Sequence, residues 1–197
     1  MSGAFERMRE TAVEWLSGKD PETLARNVGA VYDAAAGVLR MTTLGTEATL
    51  SLPDYRFTPP LDPWQELVLL HCLRLADGSP PTGRPLAFRE MRDGAVRGGN
   101  FDRQSEGKLG RLASLPRAEL RRRCARLGGR EKSGTADFTA EFTLLPCCPL
   151  TLKLWASEED IPASGRLLAD ANIDRCLTVE DAVMLGGYIV DTLLAGL

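Results

Sequence analysis

The sequence has few of the residue types that catalytic metal centres and disulfide scaffolds depend on. It contains one histidine, His71, and aromatic residues make up only 6% of it. A Ser-His-Asp triad would have to use His71, and no nucleophile-elbow motif accompanies it. The five cysteines are odd in number and irregularly spaced, which is not typical of a disulfide framework. No apolar run approaches the roughly 18 residues that a membrane span needs.

The composition that remains is that of an ordinary globular protein. Hydrophobic residues make up 44% of the 197 residues and charged residues 26%. This length is enough for one hydrophobic core, and we expect a single domain over residues 1–197. The N-terminal segment carries charges from its first turn and has no apolar signal core, so we expect a cytoplasmic protein without membrane contact.

Periodicity predicts an α+β fold. Two β-rich runs around Gly45 indicate a hairpin over residues 38–52, and alternating apolar residues predict a second strand pair over residues 138–154. Asp62-Pro63 is an N-cap followed by proline, and the very apolar segment after it predicts a buried central helix. Thr178 begins a C-terminal helix with a capping-box pattern. We therefore expect a small, mostly antiparallel sheet packed by these two helices. The glycine-rich segment 84–114 shows no clear pattern.

His71 is a candidate cofactor-binding residue because it is the only side chain whose unperturbed pKa lies near neutrality. It lies among leucines in the predicted central helix. One interpretation is an axial ligand or a proton carrier in a closed pocket. The other is a hydrogen-bonded core residue with no function, which is the commoner fate of a buried histidine.

An acidic loop is the second candidate. Glu158, Glu159 and Asp160 follow the predicted strand that ends at Trp155, and closely packed carboxylates can hold a metal or tune one another's acidity. We expect Trp155 and Asp170 to lie near these carboxylates and to line a pocket with them. The alternative is that the loop is simply solvated.

Positive charge is concentrated in the middle of the chain. Residues 84–132 hold 14 basic and 6 acidic side chains, although the whole chain carries a net charge of −3. Within this region Arg117, Arg121, Arg122 and Arg126 cover one predicted helix face and are candidate anion contacts. No aromatic residues interleave with them, so we expect no nucleic-acid binding. A solvated or acid-paired face and a docking patch for an acidic partner both remain open.

The adjacent pair Cys147-Cys148 is the remaining candidate metal ligand. A structural zinc site needs four ligands and usually has two to four residues between paired cysteines, and that spacing is missing. The other three cysteines stand alone in the sequence. We therefore expect no self-contained zinc or iron-sulfur site on these cysteines.

Two stretches together resemble a prokaryotic family. They are Leu70–Glu90, which includes HCLRLADGSPPTG, and Leu154–Asp181, which includes LWASEEDIPAS. Their order and spacing from about Pro60 onward resemble the domain of unknown function DUF3786. The resemblance implies an association with anaerobes and with metallocofactor or corrinoid-linked one-carbon metabolism, since some members carry an iron-sulfur segment ahead of this domain. Ala169 and Ile161 replace residues that are more often aromatic in the family. The resemblance supplies no catalytic residues.

These observations favour a ligand- or cofactor-binding accessory protein, with a tetrapyrrole-like or other anionic cofactor as the expected ligand. The expected pocket residues are His71, Trp155, Glu158, Glu159, Asp160 and Asp170. One alternative is an enzyme of unknown substrate that uses the carboxylates, with or without a divalent metal. A second alternative is a module that docks an acidic protein on the arginine helix.

Overall fold

The computed structural model describes residues 3–197, which form six α-helices and nine β-strands. The helices are α1 (Gly3–Leu16), α2 (Pro21–Val28), α3 (Pro63–Leu75), α4 (Gly94–Ala113), α5 (Arg117–Ala125) and α6 (Val179–Leu194). The strands are β1 (Val31–Asp33), β2 (Val38–Thr43), β3 (Thr46–Ser51), β4 (Arg56–Thr58), β5 (Pro85–Leu86), β6 (Arg130–Glu131), β7 (Phe138–Thr143), β8 (Pro149–Trp155) and β9 (Ser164–Asp170). The predicted α+β class is confirmed.

The strands form two antiparallel sheets where the sequence predicted one. The first has the order β1-β2-β3-β4, and the second has the order β5-β9-β8-β7-β6. The early hairpin β2-β3 pairs only with its neighbours in sequence, so it builds a separate sheet. The two sheets meet where the amide of Leu44 donates to the carbonyl of Thr143 over 2.9 Å. Their buried apolar residues belong to one core.

The two predicted core helices form as expected. Helix α3 begins at Pro63 after Asp62, and most of its residues from Leu67 to Leu73 are buried. Helix α6 begins after Thr178, whose hydroxyl accepts from the amide of Asp181 and so closes the predicted capping box. Helix α3 packs between α1 and α6. No helix within residues 3–197 is both long and apolar enough to cross a bilayer.

Segment 84–114, which showed no clear sequence pattern, contains α4, the longest helix within residues 3–197. Glycines in α4 allow it to pack closely against neighbouring backbone. A Cβ atom at Gly98 would lie 2.2 Å from the carbonyl oxygen of Phe88. One at Gly110 would lie 2.5 Å from the carbonyl oxygen of Ala163. Glycine normally weakens a helix, which hid α4 from sequence patterns, but here it permits backbone contact with the neighbouring segments.

The second sheet has one apolar and one polar face. Phe138, Ala140 and Phe142 alternate toward the core, and their register partners in β8 are also buried leucines. The side chains of Thr139 and Glu141 lie on the opposite face. This polar face is not covered by the core.

Candidate functional site

His71 is held by a carboxylate from another helix. Its Nδ1 lies 2.7 Å from Oδ1 of Asp181 on α6. The other oxygen of Asp181 accepts a 2.7 Å hydrogen bond from the hydroxyl of Thr178, which fixes the carboxylate at the start of the helix. With Nδ1–H as the donor to Asp181, the neutral form of the imidazole has its lone pair on Nε2. The side chain of His71 is 21% exposed. Metal-ligating histidines commonly have this carboxylate partner.

Aromatic side chains flank His71 on the surface of α1 and α3. The ring of Trp15 lies 6.0 Å from the imidazole, between ring centroids. The guanidinium of Arg74 stacks over Trp15 at 3.5 Å. Trp64 lies two helical turns before His71 on α3, so both occupy the same side of that helix.

Helix α6 completes this surface. The ring of Tyr188 stacks on Trp64 with a centroid separation of 4.2 Å. Met184 lies between Asp181 and Tyr188 at helical spacing and is 41% exposed. We refer to the surface formed by Trp15, Trp64, His71, Met184 and Tyr188 as the helical face. It combines one available imidazole nitrogen with aromatic and thioether groups.

The other sequence candidates do not join His71. Trp155 is the last residue of β8, and the acidic residues Glu158, Glu159 and Asp160 are exposed in the turn between β8 and β9. Backbone hydrogen bonds between Glu158 and Ile161 close this turn. Asp170 lies at the opposite end of the seven-residue strand β9, about 20 Å along the strand from its start. The expected grouping of Asp170 with the acidic loop is therefore wrong.

Asp170 instead holds a turn against the end of β9. One of its oxygens accepts from the amide and the hydroxyl of Thr82 and from the amide of Asn172, and the other accepts from the amide of Gly83. Burial by itself would raise the pKa of Asp170, but these hydrogen bonds outweigh it and place the pKa below its ordinary 3.8. The carboxylate has a structural role in this arrangement.

Two neighbouring acids pair with most of the arginines of the arginine helix. Arg117 and Arg121 both contact the carboxylate of Glu131, and Arg122 contacts Glu119. Arg126 is exposed and forms no ion pair within the described chain. The acid-paired interpretation of this face is the one its contacts favour. Within residues 3–197, only the carboxylates of Glu119 and Glu131 pair with the five arginines between Arg117 and Arg126, so this segment keeps a net positive charge.

Four of the cysteines come together in the core. Cys72 and Cys147 lie 3.8 Å apart between their sulfur atoms, and Cys176 donates to the carbonyl of Cys147 over 3.4 Å. Burial raises the pKa of Cys148 well above 9.0 and that of Cys124, elsewhere in the core, to about 12. No three His, Cys, Asp or Glu side chains within residues 3–197 are arranged to hold a metal ion.

A groove that the sequence analysis missed lies on the polar face of the second sheet. It has a volume of about 420 Å³. Its lining includes Lys132, Gly134, Thr139, Glu141, Thr151 and Lys153, with Asp170 at the β9 side. The alternation that predicted strands β7 and β8 already placed their polar residues on one face. Only the pairing of the strands and the loop after β6 make that face concave.

Comparison with known proteins identifies the family. The family model described as domain of unknown function DUF3786 matches residues 20–192, so the chain belongs to this family. The resemblance seen in the sequence began at about Pro60. The family model begins at residue 20, so the match reaches further toward the N-terminus. No curated protein and no solved structure matches the chain.

Proposed function

We propose that this protein is an accessory protein that binds a planar metallocofactor of the tetrapyrrole or corrinoid class on the helical face. The contact between His71 and Asp181 is the observation that carries the proposal. With Nδ1 bound to the carboxylate, Nε2 is the ring nitrogen that would bind a metal, and Asp181 fixes the orientation of the ring. A histidine nitrogen is one of the ligands by which proteins hold haem iron, so His71 would fit a metallocofactor of this class.

The surroundings of His71 suit a planar ligand with acidic groups. Trp15 and Trp64 offer aromatic surface on either side of the imidazole along the helices. Arg74 supplies an exposed cation next to Trp15 for the carboxylates that tetrapyrroles carry. When bound, the metallocofactor would supply the redox or group-transfer chemistry, and this chain would bind and orient it.

We place this function in the cytoplasm of an anaerobe. The cytoplasmic assignment rests on the five free, buried cysteines. The link to anaerobic corrinoid or iron-sulfur metabolism rests on the family resemblance alone.

The two alternative functions lack a comparable contact. A carboxylate enzyme would require the acidic loop and Asp170 to act together, and β9 separates them. Docking of an acidic protein would require free arginines. Of the four candidate arginines only Arg126 forms no ion pair within residues 3–197, since Glu131 and Glu119 engage the other three. Both remain predictions.

The test is an absorbance titration of the anaerobically purified protein with haem and with cobalamin. We expect one of them to give a spectral shift that His71→Ala abolishes and Asp181→Asn alters. Asp191→Asn is the matched control, because Asp191 lies on the same helix with a side chain that is 71% exposed. Circular dichroism checks that each variant is folded. The absence of a shift with both cofactors, or an unchanged shift in folded His71→Ala, would overturn the proposal.

A further inference from the structure

The hydroxyl of Thr139 is buried and lacks a hydrogen-bond partner within residues 3–197. Thr139 lies on β7 in the groove and is 5% exposed. A buried hydroxyl without a partner costs free energy that proteins normally avoid. A ligand that binds in the groove would provide the hydrogen-bond acceptor that this hydroxyl lacks.

Lys153 lies directly across from Thr139. The two residues are register partners in β7 and β8, so their side chains are neighbours on the same face of the sheet. The neighbouring Lys132 is engaged by Glu141 at 3.2 Å. Lys153, in contrast, forms no ion pair within residues 3–197. The ammonium and the hydroxyl thus form one uncommitted pair of donors.

The loop after β6 approaches Thr139 and adds further donors to the groove. Ser133 and Thr135 bring two hydroxyls to the groove. Gly134 lies between them, and a Cβ atom there would be 2.5 Å from the hydroxyl oxygen of Thr139. Glycine has no side chain, so only backbone lies over the hydroxyl of Thr139 at this point.

We propose that the groove binds a small hydroxylated molecule through a phosphate group held between Lys153 and Thr139. A phosphate presents three outer oxygens in different directions, so it can accept from the ammonium, from Thr139 and from the loop hydroxyls together. A carboxylate has only two oxygens in one plane. In the next row of the sheet Glu141 and Thr151 are register partners, and they face the rest of the molecule as partners for its hydroxyls.

This site is independent of the cofactor proposed for the helical face. Its residues come from β7, β8 and the loop after β6, whereas His71 lies on α3. A mutation that abolishes cofactor binding at the helical face should therefore leave ligand binding in the groove intact, and the reverse should also hold. The groove gives the protein a second ligand of a different chemical class.

The test is isothermal titration calorimetry with ribose 5-phosphate as the probe and ribose as the phosphate-free comparison. We expect the full chain to bind the phosphorylated sugar and not ribose. Thr139→Val is expected to weaken binding about tenfold, and Lys153→Met at least as much, because each removes a donor to a charged group. The matched controls Thr143→Val, on the same face of β7 outside the groove, and Lys108→Met, on α4, should bind as the wild type does.

Stability separates ligand binding from a structural role. Removing an unpartnered hydroxyl should leave the urea midpoint of Thr139→Val equal to or above that of the wild type, while affinity falls. Absence of ribose 5-phosphate binding at millimolar concentration would overturn the proposal. Equal affinity in Thr139→Val or Lys153→Met and their controls would overturn it too.

Discussion

Asp181 joins His71 to the first turn of α6, although the two residues are 110 positions apart in the sequence. Its Oδ1 lies 2.7 Å from Nδ1 of His71, and its Oδ2 accepts from Thr178. One buried carboxylate therefore caps a helix and fixes the only histidine of the chain. Its removal should affect stability and the position of the imidazole together.

Replacing Asp181 with alanine should lower the free energy of unfolding by about 2 kcal/mol, because the capping box and the partner of a half-buried histidine are both lost. Urea denaturation measures this. Asp191→Ala on the same helix removes only an exposed contact to Lys108 and should leave the midpoint unchanged. If Asp191→Ala lowered the free energy of unfolding as much as Asp181→Ala, this would contradict the capping and positioning role of Asp181.

Replacing Asp170 with asparagine should cost roughly 2 kcal/mol at pH 7, because four donors then meet a neutral amide in place of a carboxylate. The folded pKa of Asp170 lies below the ordinary 3.8, so its ionised form stabilises the fold above about pH 4. That stabilisation is lost as the pH falls through the folded pKa. The urea midpoints of the wild type and of Asp170→Asn should therefore converge as the pH falls below 4. A difference that stays constant down to pH 2 would show that charge is not involved.

Arg123 and Arg122 provide a matched pair on α5. Arg123 is 7% exposed and donates to the carbonyls of Leu193 and Ala195 at 2.7 and 2.9 Å, which ties α5 to the end of α6. Arg123→Met should lower the free energy of unfolding by roughly 3 kcal/mol, since two charge-assisted hydrogen bonds at a buried site are lost. Arg122→Met should have no resolvable effect, because its side chain is 69% exposed. Thermal unfolding distinguishes them, and equal effects would count against the buried contact.

Gly98 and Gly107 test the packing of α4. Alanine at 98 would place Cβ 2.2 Å from the backbone oxygen of Phe88, so Gly98→Ala should be strongly destabilising or fail to fold. Gly107 has open space around it, and Gly107→Ala should stabilise the protein by about 0.5–1 kcal/mol through helix propensity. Denaturant midpoints that move in opposite directions would confirm the close approach. A tolerated alanine at position 98 would contradict it.

The sequence by itself determined the elements whose signal is local. The helix start at Asp62-Pro63, the capping box at Thr178 and the alternation in β7 and β8 each depend on neighbouring residues. Each lies where predicted, although the side chain of Asp62 makes no capping hydrogen bond. Helix α4 was not predicted because its glycines lower the local helix signal. Those glycines are needed for contacts with backbone that is distant in the sequence.

Only the tertiary structure decided which residues meet. The sequence marked His71, but not the carboxylate that holds it, because Asp181 reaches it only when α6 packs against α3. The sequence grouped Asp170 with the acidic loop by proximity along the chain, and an extended strand carried them apart. The pairing of Thr139 with Lys153 depends on strand register, which is fixed when the apolar face of the sheet is buried.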